Sequence, residues 1–397
     1  MSDQPKFSIL LPTRNRSHLA QHAIRSVLGQ SEKDFELVIS DNSSNDETAK
    51  VVKGFSDHRI RYFRTDHVLG MPDNFENAFS HSAGEWITLL PDDCVLSSRC
   101  LATIEDALAI CPSKLVVWDW WHYYPSSAPE PLRRNQYVRR PFDGLVRFED
   151  SRSTLRDLYA LRHGKTLPKP YQSCAHRSLF EVLRNRLGRV FQPPAPDYTF
   201  LTGVLAFTDR FTFVDLPMML SNAGDTTPHA SPEAFRRFLD ELGEAGKGGW
   251  MPIKIPLVHP GTILVESICR IQKELPELRE FELDLERYLV DFRHQLAIYA
   301  EQQYPIEFER AQYETFFAKQ SVRTRLRVSL AYTRFRARLL ARKQAKRVVL
   351  RVPILGRLLE FSSGSAIVRG VDEGFFDIKE AMRHLEKSFA PRLLPRA

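Results

Sequence analysis

A short apolar run that ends in two adjacent carboxylates constrains this chain more than any other feature. Residues 86–90 are β-prone and lie between Gly84 and Pro91, and Asp92 and Asp93 follow directly. Such a run predicts a strand buried on both faces of a parallel sheet. Ligands of open α/β sheets bind beyond the carboxyl ends of the strands, where hard divalent cations find oxygen ligands. An Asp pair after a strand also suits a simple turn, so both interpretations stand at this point.

Strands and helices alternate along the residues before this run. Residues 7–12, 35–40 and 60–63 are predicted strands, and each is followed by polar residues and then by a helical pattern. Ser17 stands where it could cap the first helix. This alternation, with short connections, predicts a parallel sheet with right-handed crossovers. The loops after Pro12 and Ser40 should therefore lie at the same sheet edge as Asp93.

The next hundred residues supply aromatic side chains and a further carboxylate. A strand over 114–118 is followed by the proline-rich stretch 119–144, which predicts a long loop or a β-excursion. Its Trp120 and Trp121 suit the apolar faces of sugar rings, and they equally suit a cover over the sheet. Asp197 precedes an apolar helical run, where it could cap the helix or accept a proton. Residues 211–215 are predicted as a last strand, followed by a flexible loop that contains His229.

Composition bounds the compartment and the partners. The five cysteines are widely spaced and form no CxxC pair, which favours reduced thiols in the cytoplasm. The N-terminus shows no signal-peptide pattern, and no stretch has the length of a membrane span. Residues 323–351 hold eleven Lys or Arg and no Asp or Glu, within a helical C-terminal third. The segment could lie on an anionic membrane surface, form a solvated helix face or contact another subunit. No nucleic-acid-binding motif accompanies the charge.

Four segments together resemble glycosyltransferase family 2, whose members have the GT-A fold of nucleotide-diphospho-sugar transferases. They are 12–16, 40–46, 69–75 and 84–93. The resemblance implies a Rossmann-like α/β domain with a mostly parallel central sheet flanked by helices. It covers residues 1–225, with a nucleotide-sugar half over about 1–112 and an acceptor half over about 113–225. Residues 226–397 would form a mainly α-helical extension.

The resemblance also implies roles for particular residues. Asp93 would bind a divalent cation, Mn²⁺ or Mg²⁺, with His229 as a further metal ligand, and Asp197 would be the catalytic base. Pro91 stands where the first acidic residue of the family's Asp-x-Asp motif commonly stands, which leaves Asp93 as the main metal ligand. The residues implied in nucleotide-sugar binding are Pro12, Thr13, Arg14, Asn15, Asp41, Asn42, Asn74 and Asp92.

The function implied is an inverting, metal-dependent glycosyltransferase that uses a nucleotide diphosphate sugar, a UDP-sugar by family frequency. Its acceptor would be a glycan or a lipid-linked sugar in bacterial surface polysaccharide synthesis. The expected location is cytoplasmic, with peripheral membrane contact through residues 323–351, and an oligomer is compatible with the sequence. Two alternatives remain: a sugar-phosphate nucleotidyltransferase, which should have a glycine-rich first loop with a lysine, and a non-catalytic glycan-binding or scaffold protein on a degenerate GT-A fold.

Overall fold

The computed structural model describes residues 4–128, 131–162, 164–224, 260–301, 306–350, 366–389 and 394–395. His229 and the loop that contains it lie outside the described residues. The strands are β1 (Phe7–Thr13), β2 (Phe35–Asp41), β3 (Ile60–Arg64), β4 (Trp86–Leu89), β5 (Cys94–Leu96), β6 (Leu115–Tyr124), β7 (Gln136–Arg139), β8 (Leu145–Asp150), β9 (Ser173–His176), β10 (Arg210–Asn222), β11 (Ala366–Arg369) and β12 (Leu394–Pro395).

The helices pack on both sides of these strands. They are α1 (Ser17–Leu28), α2 (Glu47–Lys53), α3 (Met71–Ser80), α4 (Cys100–Ile110), α5 (Ser151–Tyr159), α6 (Arg177–Leu187), α7 (Pro196–Ala206), α8 (Pro260–Glu274), α9 (Leu285–Glu301), α10 (Glu307–Ala318), α11 (Val322–Leu350), α12 (Gly370–Glu373) and α13 (Ile378–Glu386), with 3-10 turns at Pro131–Arg133 and Pro276–Leu278. The α/β class predicted from the sequence is confirmed.

The N-terminal half of the sheet is parallel. Strands β4, β1, β2 and β3 lie side by side in that order, and all three pairings are parallel. Every residue of β1 and of β2 is buried, as expected for strands covered by helices on both faces. The predicted strands over 7–12, 35–40, 60–63 and 86–90 are confirmed. Ser17 does not cap α1: Arg16 occupies the cap position, and no side chain caps this helix end.

The other half of the sheet mixes directions. Strand β9 lies between β4 and β6 and is antiparallel to both, and β8 is antiparallel to β10. Strand β6 extends to Tyr124 and returns through β7, so the predicted β-excursion is confirmed. Strand β10 is longer than predicted because it continues past Pro217 to Asn222, with register shifts around this proline, which lacks a backbone N–H.

Buried polar bonds fix the entry into β4. Ser8 Oγ donates to Glu36 Oε1 at 2.6 Å, and the Gly84 N–H donates to Ser8 Oγ at 2.7 Å. Arg61 Nη1 donates to the other oxygen of Glu36 at 2.7 Å. A side chain at Gly84 would lie 2.6 Å from the Ser8 backbone nitrogen, which excludes other residues there. This network aligns β4 beside β1 and so fixes where Asp92 and Asp93 emerge.

The C-terminal residues take part in two regions. Helices α8 to α11 pack together, and α8 also packs on α7. The segment 366–389 returns to the sheet, where β11 pairs with β7 and Phe375 packs near Tyr123 and Tyr137. No helix among the described residues is long and apolar enough to span a bilayer.

Candidate active site

The loops after β1 and β2 meet at one edge of the sheet. The Asn42 N–H donates to the Thr13 carbonyl at 2.9 Å, and the Asn15 N–H donates to Ser43 Oγ at 2.9 Å. Asn15 has a positive φ of 55°, a conformation that Asn tolerates better than most residues, and its side-chain oxygen accepts from the Ser44 N–H. The chain thus turns back sharply after Thr13.

This turn brings Arg16 to the carboxylates that follow β4. Arg16 Nη2 lies 3.0 Å from Asp92 Oδ1, and Arg16 Nη1 lies 3.4 Å from Asp93 Oδ2. Thr13 Oγ1 donates to Asp92 Oδ2 at 2.7 Å, and the Arg14 N–H also donates to Asp92. Burial raises the pKa of the Asp92 carboxyl to about 6, and Arg16 acts against that rise. Asp92 is therefore a buried link between the first loop and the end of β4.

Asp93 is held more loosely and reaches solvent. Its side chain is 16% exposed, compared with 1% for Asp92. The Asp93 backbone carbonyl accepts from the Asn222 N–H at 2.9 Å, which anchors the main chain to the end of β10. Among the described residues, the side-chain oxygens make two long contacts of 3.4 Å, to Arg16 and to the Cys94 thiol. The main chain at this carboxylate is fixed, whereas its oxygens keep lone pairs for a further partner.

Asp41 is fully buried at the end of β2. Tyr62 Oη donates to Asp41 Oδ2 at 2.6 Å, and the Ser43 N–H donates to Asp41 Oδ1 at 3.0 Å. Burial, together with the bond to Asp41, raises the pKa of the Tyr62 hydroxyl above its ordinary value. Both oxygens of Asp41 thus have protein partners, and a nucleotide base would share them through remaining lone pairs.

The remaining residues implied in nucleotide-sugar binding stabilise the same edge. Asn42 exchanges hydrogen bonds with the backbone of Leu69, at 2.9 Å and 2.8 Å. Asn74 is buried and accepts from Ser40 Oγ at 2.6 Å. Pro12 is a buried residue of β1. Thus Asn42 ties the segment before α3 to the end of β2, and Asn74 ties α3 itself to β2.

Asp197 lies in the first turn of α7, among a second set of polar groups. Lys169 Nζ lies 3.4 Å from Asp197 Oδ2, and Tyr171 Oη donates to the same oxygen at 3.4 Å. Lys169 Nζ also lies 4.4 Å from the centre of the Tyr198 ring. Burial opposes the charge of Lys169, but Tyr171, Asp197 and Tyr198 together raise its pKa above the ordinary value. The Asp197 side chain is 20% exposed, so it can reach a bound molecule.

Aromatic side chains of β6 join the two carboxylate groups. The Trp120 ring lies 6.1 Å from the Tyr171 ring and 4.6 Å from the His122 ring. The Asp93 carboxylate in turn acts electrostatically on His122. A strip of side chains, formed by His122, Trp120 and Tyr171, therefore lies between Asp93 and Asp197. Of the two tryptophans predicted to contact a sugar ring or to cover the sheet, Trp121 is fully buried, whereas Trp120 is partly exposed.

Comparison with known proteins adds an independent line of support. Residues 8–162 match the family model for glycosyl transferase family 2. This match covers less than half of the chain, so it shows a region similar to that family. The match contains β1 to β8 and both carboxylates that follow β4, whereas Asp197 lies outside it. The GT-A fold class expected for this family agrees with the mixed sheet and its flanking helices.

Two curated relatives cover part of the chain. The chain is 39% identical over 103 residues to the GalNAc(5)-diNAcBac-PP-undecaprenol beta-1,3-glucosyltransferase of Campylobacter jejuni, over 25% of this chain and 33% of that protein. It is 33% identical over 86 residues to the UDP-Glc:alpha-D-GlcNAc-diphosphoundecaprenol beta-1,3-glucosyltransferase WfgD of Escherichia coli, over 22% and 34%. The chain thus spans about a third of the length of these relatives. A crystal structure of S. aureus TarS 1-349 in complex with UDP aligns with a TM-score of 0.43 and 16% identity, over 80% of this chain and 93% of that one.

The carboxylates after β4 fit the divalent cation that the family implies, provided that a diphosphate supplies further ligands. Among the described residues, no group of three or more His, Cys, Asp or Glu side chains is arranged to hold a metal ion. Asp93 offers a partly exposed carboxylate with long contacts only, while Asp92 is occupied by Thr13 and Arg16. A Mg²⁺-like ion needs only one or two carboxylates when phosphate oxygens and water complete its shell. The site therefore fits a cation that arrives with a diphosphate.

Sequence reasoning missed several residues of this site. Arg16 lies two residues beyond Arg14, which was assigned to the nucleotide pocket, and only the turn at Asn15 shows that Arg16 reaches the carboxylates. Lys169 and Tyr171 precede a strand, β9, that no pattern indicated. The sequence offers only the polar run Lys169-Pro170-Tyr171 between predicted elements, and this run does not indicate that its side chains contact Asp197.

Proposed function

We propose that this protein is an inverting, metal-dependent glycosyltransferase that moves a sugar from a nucleoside diphosphate donor to a glycan or lipid-linked acceptor. The observation that carries the proposal is the strip of side chains that lies between Asp93, after β4, and Asp197 at the start of α7. In an inverting transfer the sugar lies between the leaving diphosphate and the base. Two carboxylates at opposite ends of this strip suit that requirement.

In this proposal the donor end neutralises the charge that develops on the leaving diphosphate. Asp93 would hold Mn²⁺ or Mg²⁺, which would supply Lewis-acid stabilisation to the diphosphate oxygens. Arg16 lies against both carboxylates and presents a second positive group there. Thr13, Arg14, Asn15 and Asp41 line the nucleotide pocket. In the same proposal His229 would be a further metal ligand, and His229→Ala tests this role.

Asp197 accepts the proton of the attacking acceptor hydroxyl. Tyr171 and Lys169 orient its carboxylate through the contacts of 3.4 Å to Oδ2, which leaves Oδ1 to face the acceptor. General base catalysis needs a carboxylate within hydrogen-bond reach of the hydroxyl, and the exposure of Asp197 permits this. Its place in the first turn of a helix also suits a carboxylate, because the helix dipole stabilises negative charge.

The acceptor class comes from the relatives. The names of both curated relatives specify acceptors linked through a diphosphate to undecaprenol, and the E. coli name specifies UDP-Glc as donor. We extend that class to this chain: a UDP-sugar donor and a polyprenyl diphosphate-linked acceptor in bacterial surface polysaccharide synthesis. Such an acceptor would place the enzyme in the cytoplasm at the inner face of the membrane.

A donor screen tests the function. The full chain is incubated with UDP-glucose, UDP-N-acetylglucosamine, UDP-galactose, GDP-mannose and dTDP-glucose, with Mn²⁺ or with EDTA, and released nucleoside diphosphate is measured. We expect release with one donor, stimulated by a polyprenyl diphosphate-linked sugar and abolished by EDTA. Pyrophosphate release from a nucleoside triphosphate and a sugar phosphate would instead identify a nucleotidyltransferase. Binding of the donor without turnover would favour a scaffold protein.

Helix α11 suits contact with an anionic membrane surface. One side packs inward: the Phe335 ring lies 4.7 Å from the His294 ring, and Arg293 lies 4.5 Å from the Tyr332 ring. The other side exposes large apolar side chains between arginines, and it carries no acidic residue. Apolar anchors among cations are typical of helices that lie at a bilayer interface. The exposed apolar residues are Val322, Leu326, Leu330 and Leu340.

Sedimentation with vesicles tests this surface against the subunit-contact alternative. The full chain should bind vesicles that contain phosphatidylglycerol and should not bind phosphatidylcholine alone. Leu326→Ser with Leu330→Ser should reduce binding several-fold, because each removes a buried apolar group from the interface. Val371→Ser, at another exposed apolar position outside α11, is the control. Vesicle binding unchanged by the double substitution, or an oligomer that it disperses, would favour a subunit contact.

A further inference from the structure

Within the part of the chain that the structure describes, the strip between the two carboxylates contains a buried polar atom without a hydrogen-bond partner. His122 lies in β6, and its Nδ1 is buried and makes no hydrogen bond. Buried polar atoms in native proteins nearly always have a partner, so an unpartnered one indicates a bound molecule or water. The other groups along the strip, Asp93, Tyr171 and Asp197, all have contacts within the protein.

The position of His122 limits what that molecule can be. Ser221 pairs with His122 across β6 and β10, and the neighbouring Asn222 donates its N–H to the Asp93 carbonyl. On the other side the His122 ring contacts Trp120 at 4.6 Å, and Trp120 leads to Tyr171 beside Asp197. His122 therefore lies between the diphosphate end and the base end of the strip. In the proposed transfer the sugar ring would occupy this interval.

The chemistry of the pair His122 and Trp120 fits that ring. A pyranose presents apolar C–H faces and a rim of hydroxyl groups, which suit an aromatic face and a neutral imidazole respectively. Burial lowers the pKa of His122 to about 4, Arg140 lowers it further, and Asp93 acts in the opposite direction. His122 is therefore neutral at physiological pH, where it can exchange one hydrogen bond with a hydroxyl but would be a poor proton acceptor for the reaction.

We propose that His122 binds a hydroxyl of the transferred sugar through Nδ1 and so helps to select the donor. This inference rests on the proposed function, because it requires a sugar nucleotide in the compartment. His122 is a specificity residue in this proposal, and the base remains Asp197. A site built to hydrogen-bond a substrate hydroxyl discriminates against analogues that lack or misplace it, since its buried polar atom is then left unpaired.

The test compares affinities for the whole donor and for its nucleotide alone. Calorimetry measures binding of UDP and of the sugar nucleotide that binds most tightly in the donor panel, with Mn²⁺, to wild type and to three variants. His122→Phe keeps the ring without a hydrogen bond, His122→Asn places an amide near Nδ1, and His122→Gln places one near Nε2. His22→Phe is the matched control, because His22 also has a buried, unpartnered Nδ1 on the remote helix α1.

We expect His122→Phe and His122→Gln to weaken binding of the sugar nucleotide on the order of tenfold, with unchanged affinity for UDP. His122→Asn should recover most of the loss, and His22→Phe should bind both molecules as wild type does. His122→Phe should also reduce the difference in affinity between UDP-glucose and UDP-galactose, which differ in the configuration of the hydroxyl at C4. A merely structural role would lower affinity for UDP and for the sugar nucleotide together.

Three outcomes would overturn the inference. One is a His122→Phe variant that binds both ligands as wild type does. Another is an equal loss of affinity for UDP and for the sugar nucleotide. If His122→Phe does not fold, equal affinities of His122→Asn and His122→Gln for the sugar nucleotide would overturn the inference instead. The third is a wild-type protein that binds no sugar nucleotide, and this outcome also refutes the proposed function. The first two leave the proposed function intact, so the two failures are distinguishable.

Discussion

The site contains two pairs of carboxylates that the protein holds in different ways. Asp41 and Asp92 are buried and accept short hydrogen bonds, of 2.6 Å from Tyr62 and 2.7 Å from Thr13. Asp93 and Asp197 are partly exposed, and within the described part of the chain their side chains make long contacts of 3.4 Å. The first pair thus fixes the loops, and the second pair keeps oxygens for reagents. The difference separates scaffold from chemistry within one set of residues.

The largest effect should follow from Asp93→Asn. We expect transfer to fall on the order of a thousandfold, because a neutral amide binds a divalent cation far less well than a carboxylate. Turnover and Mn²⁺-dependent binding of the nucleoside diphosphate are measured together, with Asp66→Asn at an exposed loop position as control. Full turnover in Asp93→Asn would remove this carboxylate from the reactive pair.

Asp197→Asn should have the next largest effect. Loss of the proton acceptor should lower transfer on the order of several hundredfold, while the donor binds as in wild type. Single-turnover transfer and calorimetry with the sugar nucleotide separate the two, and Asp209→Asn just beyond the other end of α7 serves as control. Retained transfer would mean that another group accepts the proton.

A smaller effect is expected from Asp41→Asn in the buried pair. The amide cannot accept from both Tyr62 and the Ser43 N–H while also serving the nucleotide, so affinity for the nucleoside diphosphate should fall on the order of tenfold. The rate at saturating donor should stay close to that of wild type. A drop in that rate as large as for Asp197→Asn would contradict the division between scaffold and chemistry.

The smallest effect on activity should come from Glu36→Gln, which acts on stability. Burial alone would raise the pKa of Glu36, but Arg61, Ser8 and the Ala83 N–H outweigh it and lower that pKa below 4.5. A lowered carboxyl pKa stabilises the fold above the unfolded value, and the stability is lost as pH falls through the folded value.

Urea unfolding of wild type and Glu36→Gln at pH 7 and at pH 4 measures that dependence. We expect the variant to be less stable at pH 7 by about 1–3 kcal/mol, with a smaller difference at pH 4 and donor affinity unchanged. Glu47→Gln on the exposed end of α2 is the control. An equal difference at both pH values would show that the charge of Glu36 does not contribute.

Much of the fold follows from local patterns in the sequence. The alternation of apolar runs and helical patterns predicted the strands over 7–12, 35–40 and 60–63. The first two are buried along their whole length, whereas β3 is half-buried and was indicated by its place in the alternation. Strand β9 escaped the sequence analysis because Ser173-Cys174-Ala175-His176 is short and has no clear period. It forms only because β4 and β6 both offer free edges to it. Its insertion mixes the directions of the sheet.

The sequence by itself determined that polar loops and two carboxylates gather at one sheet edge, since strand direction and connection length decide where strands end. It also indicated Asp197 as a carboxylate at a helix start. Only the tertiary structure decided which side chains touch. The turn at Asn15 brought the side chain of Arg16 to Asp92 and Asp93, whereas Arg14 offers its backbone N–H to Asp92. The segment before β9 placed Tyr171 beside Asp197. Contacts between residues distant in sequence depend on packing, and no local pattern encodes them.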